Sequence, residues 1–437
     1  MRRMKSSVGY WNFASAIARW IATLGFATVA VTAHAAPDAA VQRLAQQHKE
    51  PLLATLKDLV DIESGSGDRE GLDRLSALIH SRLATLGGAV EYVEPPADAY
   101  RMHDTPPKIG RMVLARFAGK GTAKILMIAH MDTVYLRGMG AQQPFRIDGN
   151  RAFGLGIADD KQGVALILHT MAVLKAMSFD QYGLITVLIN ADEEISSPGS
   201  RAMLTRLGAE HDAVMSFEGT RVTSDQLSLA TSGIAAVTLK VKGKASHAGS
   251  APELGRNALY ELSHQILQTK DFSDPATGLK MNWTVAKAGT NRNVIAADAE
   301  AAADVRVLRV ADYDGIEAKV REKIRNKLIP DTTVDMVFER RRPPLEVTDA
   351  NRALAKHAQK IYAELGKTLI VREEAEGGGT DAAFASLKTK APVVERFGLA
   401  GFGSHSNDAE YVLIDSIEPR LYLAARLIVD VSRGIAR

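Results

Sequence analysis

The feature that most narrows the fold is an apolar run that stops at a cluster of polar residues, and it recurs. "KILMIAHMD" (residues 124–132) ends in His130 and Asp132, "LITVLINADEE" (184–194) in Asp192, Glu193 and Glu194, and "AVMSFE" (213–218) in Glu218. Short, continuously apolar runs suit strands buried on both faces, as in a parallel sheet covered by helices. Helical patterns lie between them. Leu72, Leu75, Leu78, Ile79 and Leu83 recur at three- and four-residue steps within 70–87, and residues 38–60 and "KQGVALILHTMAVLKAM" (161–177) also predict helix. Strands alternating with helices define an α/β fold with a largely parallel sheet.

Near residue 231 the rhythm changes. "VTLKVKG" alternates polar and apolar residues, a helix is predicted to about 269, "NWTVAKA" and "AAADVRVLRV" read as strands, a helix covers about 312–328, and "TTVDMVFERR" is a strand. The order β-α-β-β-α-β is that of the ferredoxin-like split unit. After Pro343-Pro344 come a helix, a glycine-rich loop and a final helix near 414–433, too little to fold alone. The simplest division is a larger α/β domain in two parts, 36–230 and 344–437, with a small domain, 231–343, inserted between them.

Residues 1–35 have a different character. Arg2, Arg3 and Lys5 precede the uncharged stretch "WIATLGFATVAVTA", which closes in Ala33-His34-Ala35. A basic start, an apolar stretch short for a membrane span and a small-x-small site predict a secretory signal peptide, with an uncleaved anchor as the alternative. Cleavage after Ala35 removes four cations and no acids, taking the formal charge from +3 to −1. The expectation is an exported protein, periplasmic or secreted and free of the membrane once the signal is removed. No basic stripe or zinc-finger spacing points to nucleic acid. The chain has no cysteine, which excludes disulfides, thiolate metal sites and cysteine nucleophiles.

Each polar cluster has an ordinary reading when taken alone. In an extended strand His130 and Asp132 share a face, which suits a metal ligand backed by a carboxylate or equally a solvated strand end. In "GLGIADDK", Asp159 and Asp160 precede a helix and either one could cap it. Three acids in a row are costly at the end of a core strand unless a cation or a shared proton relieves them. "GFGSHSNDAEY" places His405 in a glycine-rich loop. Together these clusters put imidazoles and carboxylates at the carboxyl edge of one sheet, where open α/β folds hold their sites. Nitrogen and oxygen donors without sulfur suit zinc, with cobalt or manganese as substitutes. Five ligands exceed one tetrahedral site and fit a pair of ions about 3.5 to 4 Å apart.

The ordered set "HMDTVY", "GIADDK", "DEE", "SFE", "TSGIA", "KASHAG", "GGGTDAA" and "GFGSHS" resembles the glutamate carboxypeptidases of the carboxypeptidase G (glucarpidase) type, among the co-catalytic zinc exopeptidases and aminoacylases. The resemblance runs from about residue 40 to the C-terminus. It implies a phosphorylase/hydrolase-like zinc exopeptidase catalytic domain with an inserted ferredoxin-like α+β dimerisation, or lid, domain. It also implies two Zn2+ per subunit: His130 and Glu218 on one, Glu194 and His405 on the other, and Asp159 between them. Glu193 matches the general base and Asp132 the residue that orients His130. His247 of "KASHAG" matches a donor to the developing oxyanion that, in dimeric relatives, reaches the partner subunit's site, which implies a homodimer.

For substrate, the resemblance implies that Arg306 binds the carboxylate of a C-terminal amino acid, with Asn293 beside it. An arginine fork reads a carboxylate in two bonds. Arg342 is a weaker candidate for the same task, and Gly378, Gly379 and Thr380 are expected near the substrate. Ser404 stands where carboxypeptidase G carries a larger aromatic residue, so the preferred side chain and acyl group are open. The resulting expectation is a metallo-carboxypeptidase that releases glutamate or aspartate from N-acyl or peptidyl substrates such as folate-type compounds. Two alternatives stand beside it: a broader N-acyl-amino-acid amidohydrolase or dipeptidase, and an exported solute-binding protein on the same fold.

Overall fold

The structure is a computed structural model that describes residues 36–406 and 408–436. The proposed signal peptide, residues 1–35, lies outside the described residues. Among the described residues no helix is long and apolar enough to cross a membrane.

Six strands form the main sheet, in the order Ala89–Val93, Met112–Ala118, Leu184–Asn190, Lys124–His130, Ala213–Ser216 and Val393–Val394. The last four run parallel, while the first two pairings are antiparallel. The sheet is therefore more mixed than its apolar runs suggest. Only residues 119–123 join Met112–Ala118 to Lys124–His130, and a parallel crossover needs a dozen or more, so the chain has to reverse direction there.

The apolar runs arise because both faces are covered. Ile125, Met127 and Ala129 pack in a core with helices Gln162–Ala176 and Ile417–Ser432. Leu126 and Ile128 point the other way, toward Leu204 and Leu207 of helix Arg201–Glu210 and Ala382–Ala385 of helix Asp381–Ser386. Three layers result, with the strand ends His130, Asn190 and Ser216 at one edge. Helices Ala39–Gln47, Lys49–Val60 and Arg69–Thr85 add to the first core.

The second sheet, in the order Lys280–Ala288, Asp298–Val307, Gly233–Lys242 and Thr333–Arg342, is antiparallel throughout. With helices Ala258–Thr269 and Asp312–Lys323 it makes the β-α-β-β-α-β unit and has its own apolar cluster. Residues in Gly233–Lys242 alternate between buried and partly exposed, because only one face packs on helices. The chain enters and leaves this unit side by side, where Thr231 pairs with Leu345.

A small five-stranded sheet joins Arg146–Asp148, Arg151–Phe153, Tyr411–Leu413, Ala400–Phe402 and Thr220–Arg221. It ties the loop bearing His405 to the turn bearing Asp159 and the segment after Glu218.

Candidate metal centre

Three parallel strands deliver their C-terminal ends to one edge. His130 is the last residue of its strand and pairs in register with Asn190, after which the chain turns through Asp192, Glu193 and Glu194. Phe217 N donates to Ile128 O (2.9 Å), which aligns Glu218 with the same edge. Asp159 comes from the turn before helix Gln162–Ala176. His405 comes from the loop after Ala400–Phe402 and has a positive φ of 65°.

Five of these side chains form two groups of three that share Asp159: His130, Asp159 and Glu218, and Asp159, Glu194 and His405. Within each group the ligand atoms all lie within 4.8 Å of one another. Asp159 turns one oxygen to each group. Its Oδ1 is 3.1 Å from His130 Nε2, and its Oδ2 is 3.4 Å from His405 Nε2. Glu218 Oε1 stands 3.3 Å from His130 Nε2, and Glu194 Oε2 stands 3.1 Å from His405 Nε2.

The electrostatics of the cluster favour positive charge. Burial pushes His130 down, but hydrogen bonds to Asp132, Asp159 and Glu218 outweigh it and raise the imidazole well above its usual range. Hydrogen bonds to Asp159 and Glu194 push His405 up to about 11. Burial, helped by the charge of Asp159, lifts Glu194 to about 7. Positive charge is thus favoured at the points where the ligand atoms converge, the electrostatic condition for holding cations. Glu194 Oε1 is buried with no hydrogen-bond partner. An orphaned carboxylate oxygen among imidazoles and acids, with no sulfur present, fits a pair of divalent ions.

Asp132 does more than face His130. It lies 3.4 Å from His130 Nδ1 through Oδ1, and the same oxygen accepts from Glu193 N (3.1 Å). Its Oδ2 accepts from Glu194 N (3.2 Å) and Ser66 Oγ (2.7 Å). One buried carboxylate therefore fixes both the histidine and the backbone of the two glutamates. Asp160 accepts from Gln162 Nε2 (2.6 Å) and His130 N (3.4 Å), a supporting position rather than a third oxygen source for the cluster.

Glu193 is buried and held by Arg342, whose Nη1 donates to its Oε1 and whose Nη2 donates to its main-chain oxygen. The sequence pointed Arg342 at substrate. Here its guanidinium faces the glutamate instead, with Nε buried and unpartnered. Gly379 permits the approach, since a Cβ there would meet Arg342 Cδ at 2.4 Å. Arg306 is bound bidentately by Asp304 (2.8 and 3.0 Å) and donates to Gly377 O (2.9 Å). Thr380 donates to the buried Glu395 (2.9 Å).

Asp159, Glu193, Glu194, Glu218, His405, Arg306, Arg342, Gly378, Gly379 and Thr380 line a single cavity of about 460 Å³. His247 and Asn293 do not. Both are exposed, and they lie together on the four-stranded unit, where Ala248 N donates to Asn293 O (2.9 Å). His247 Nδ1 accepts from Gly249 N and Ser250 N (both 3.1 Å), so its free nitrogen is Nε2.

The sequence reading missed Glu410. Buried beside the cluster, it accepts from Tyr135 OH (2.6 Å), Gly156 N (2.8 Å), Ala158 N (2.8 Å) and Asp159 N (3.2 Å), and so holds the turn that presents Asp159. The one available signal was an acid directly before a short apolar strand in "AEYVL".

Residues 126–430 match the family described as Peptidase family M20/M25/M40, and the chain belongs to that family. It is 44% identical over 414 residues to carboxypeptidase G2 of Pseudomonas sp. (strain RS-16), covering 94% of this chain and 97% of that protein. Among solved structures it resembles the M20 family metallo-carboxypeptidase Sso-CP2 of Sulfolobus solfataricus, with a TM-score of 0.70 at 15% identity over 87% of this chain and 99% of the other. It also resembles the YXEP protein of Bacillus subtilis, described as a dinuclear metal binding peptidase from the M20 family, with a TM-score of 0.60 at 15% identity over 88% and 98%. At such identities these two structures speak for the shared fold alone.

Proposed function

We propose that this chain is a dinuclear metallo-carboxypeptidase that hydrolyses the amide bond to a C-terminal amino acid, glutamate or aspartate preferred, in N-acyl or peptidyl substrates such as folate-type compounds. The observation that carries the reading is Asp159, one oxygen of which faces His130 and Glu218 while the other faces Glu194 and His405. His130 and Glu218 would hold one ion, Glu194 and His405 the other, with Asp159 shared; zinc suits the donors, with cobalt or manganese as substitutes. Such a pair supplies Lewis acidity to an amide carbonyl and acidifies a water when bound.

The rest is the work of the protein. Glu193 takes the proton of the attacking water and passes it to the leaving nitrogen, the role of a positioned general base. Arg342 holds its carboxylate toward the cavity. Arg306 binds the terminal carboxylate, and the backbone around Gly378, Gly379 and Thr380 borders the scissile group. His247 and Asn293, outside this chain's own cavity, act on the site of a second copy, His247 donating from Nε2 to the developing oxyanion. The enzyme is then a homodimer joined through residues 231–343, and a sedimentation mass of a single chain would count against that. Residues 1–35 act as an export signal, which protein sequencing of the mature N-terminus would test.

The decisive assay compares N-benzoyl-glutamate with its leucine, phenylalanine and alanine analogues after metal reconstitution. Faster hydrolysis of the glutamate compound is expected. Equal rates would favour the broader N-acyl-amino-acid hydrolase, a reading kept open by 27% identity over 289 residues to N-acetyl-L-citrulline deacetylase of Xanthomonas campestris. Glu193→Gln should lower kcat by roughly 10²- to 10⁴-fold with metal content unchanged. Unaltered hydrolysis would remove Glu193 from the base role.

A further inference from the structure

Beyond Arg306, the cavity contains two arginines that neither the sequence reading nor the chemistry above has used. Arg221 ends the short strand after Glu218, and Arg396 follows the buried Glu395. Both address one carboxylate oxygen. Glu376 Oε2 accepts from Arg221 Nη2 (2.9 Å) and Nε (3.2 Å) and from Gln226 Nε2 (3.4 Å), and it stands 3.8 Å from Arg396 Nη2. Among the described residues no other carboxylate lies within 4.0 Å of either guanidinium. Two guanidinium groups thus share one carboxylate oxygen on this part of the cavity wall.

The backbone points the same way. Arg396 has a φ of +72°, a left-handed conformation that is strained for a residue with a side chain and that glycine would adopt freely. Its Nη1 donates to Gly219 O (3.0 Å), next to Glu218 of the candidate metal cluster. Arg306, which takes the terminal carboxylate in the reading above, donates to the carbonyl of Gly377, the neighbour of Glu376. Arg306 on one side and Arg221 with Arg396 on the other therefore border the same two-residue segment, 376–377, within one cavity.

We propose that Arg221 and Arg396 receive the side-chain carboxylate of the C-terminal residue and so set the preference for glutamate over uncharged amino acids. The inference rests on the carboxypeptidase reading and adds its specificity residues. Glu376 keeps the two cations ordered in the empty cavity and yields part of their charge to the ligand. Arginine suits this role because its planar fork binds carboxylates in pairs of hydrogen bonds.

The test compares N-benzoyl-glutamate, N-benzoyl-glutamine and N-succinyl-leucine, the last carrying its extra carboxylate on the acyl side. In an Arg221→Ala/Arg396→Ala variant the glutamate-to-glutamine ratio of kcat/KM should fall roughly ten- to a hundredfold, mostly through KM, the size expected for lost charged hydrogen bonds. Glu376→Gln, which removes the competing anion and little else, should lower KM for the glutamate substrate. A preserved ratio in the double variant overturns the proposal, as does a higher KM in Glu376→Gln or a loss confined to N-succinyl-leucine. If the parent enzyme itself shows no preference for glutamate over glutamine, the acidic-substrate reading fails, a result distinct from failure of the two arginines alone.

Discussion

The two halves of the cluster around Asp159 are built differently. His130 closes a core strand, with a side chain 2% exposed and Asp132 behind it, whereas His405 sits in a loop at positive φ, with a side chain 56% exposed. The sheet thus fixes His130 through packing on both faces, whereas the other group combines Glu194, from the end of a main-sheet strand, with His405 from a loop of the small five-stranded sheet. Loops in general open at lower free energy than core strands. The lesson is that the cluster has a strand-borne histidine and a loop-borne histidine, joined by a single carboxylate.

The largest effect should come from removing that joint. Asp159→Ala deletes the oxygen facing each half and should abolish both hydrolysis and metal retention. His405→Ala should lose the ion of the loop half and retain the other through dialysis, while His130→Ala should disturb both, since Asp132 also holds the glutamate backbone through Glu193 N and Glu194 N. Elemental analysis of the three purified variants checks this ordering. Equal metal loss in the two histidine variants would remove the proposed asymmetry.

A smaller effect tests what couples the halves. Glu410 precedes strand Tyr411–Leu413 on the loop side, yet its carboxylate binds the turn at Gly156, Ala158 and Asp159. Glu410→Gln turns an amide nitrogen toward backbone N–H donors in a buried site, which should cost about 1 to 3 kcal/mol. Denaturation with and without added metal should show lower stability in both conditions and a smaller metal-induced gain. An unchanged gain would mean that the turn presents Asp159 without help from Glu410.

The same division explains what could be read in the sequence. The strand-built half announced itself, because an apolar run that stops at histidine or glutamate is a local pattern, and the order of the β-α-β-β-α-β unit followed from periodicity in segments of ten or more residues. The loop-built half left little trace. Strands of two or three residues, such as Thr220–Arg221 and Ala400–Phe402, show no periodicity, so the five-stranded sheet was invisible and Glu410 left no more trace than an acid before a short apolar run. Arg342 was visible as a cation, but its contact with Glu193 joins residues 149 positions apart, and no local signal carries such a pairing. The antiparallel edge was legible in principle from the five-residue link before Lys124, a length constraint that the apolar composition obscured.

The strand-built half has its own weak point, in the helix beneath it. Gln162–Ala176 starts just after Asp160 and carries His169 in its buried middle, with Nε2 2.9 Å from Thr55 Oγ1 and Nδ1 2.9 Å from His48 Nδ1. Burial, then the charge of His48, holds His169 down at about 3. In the unfolded chain a histidine titrates near 6.5. Above that pH the imidazole is neutral in both states and contributes no pH dependence. As pH falls from about 6.5 toward 3, the unfolded chain binds a proton that the fold refuses, and stability is lost at no more than about 1.4 kcal/mol per pH unit. His169→Gln keeps a donor and an acceptor for Thr55 and His48 but cannot take the charge. Melting curves should therefore run parallel for parent and variant above pH 7 and diverge below 6.5, with the parent falling more steeply. Parallel curves down to pH 4 would show that His169 accepts its proton within the fold, and the helix under the strand-built half would then tolerate a charge that its burial should exclude.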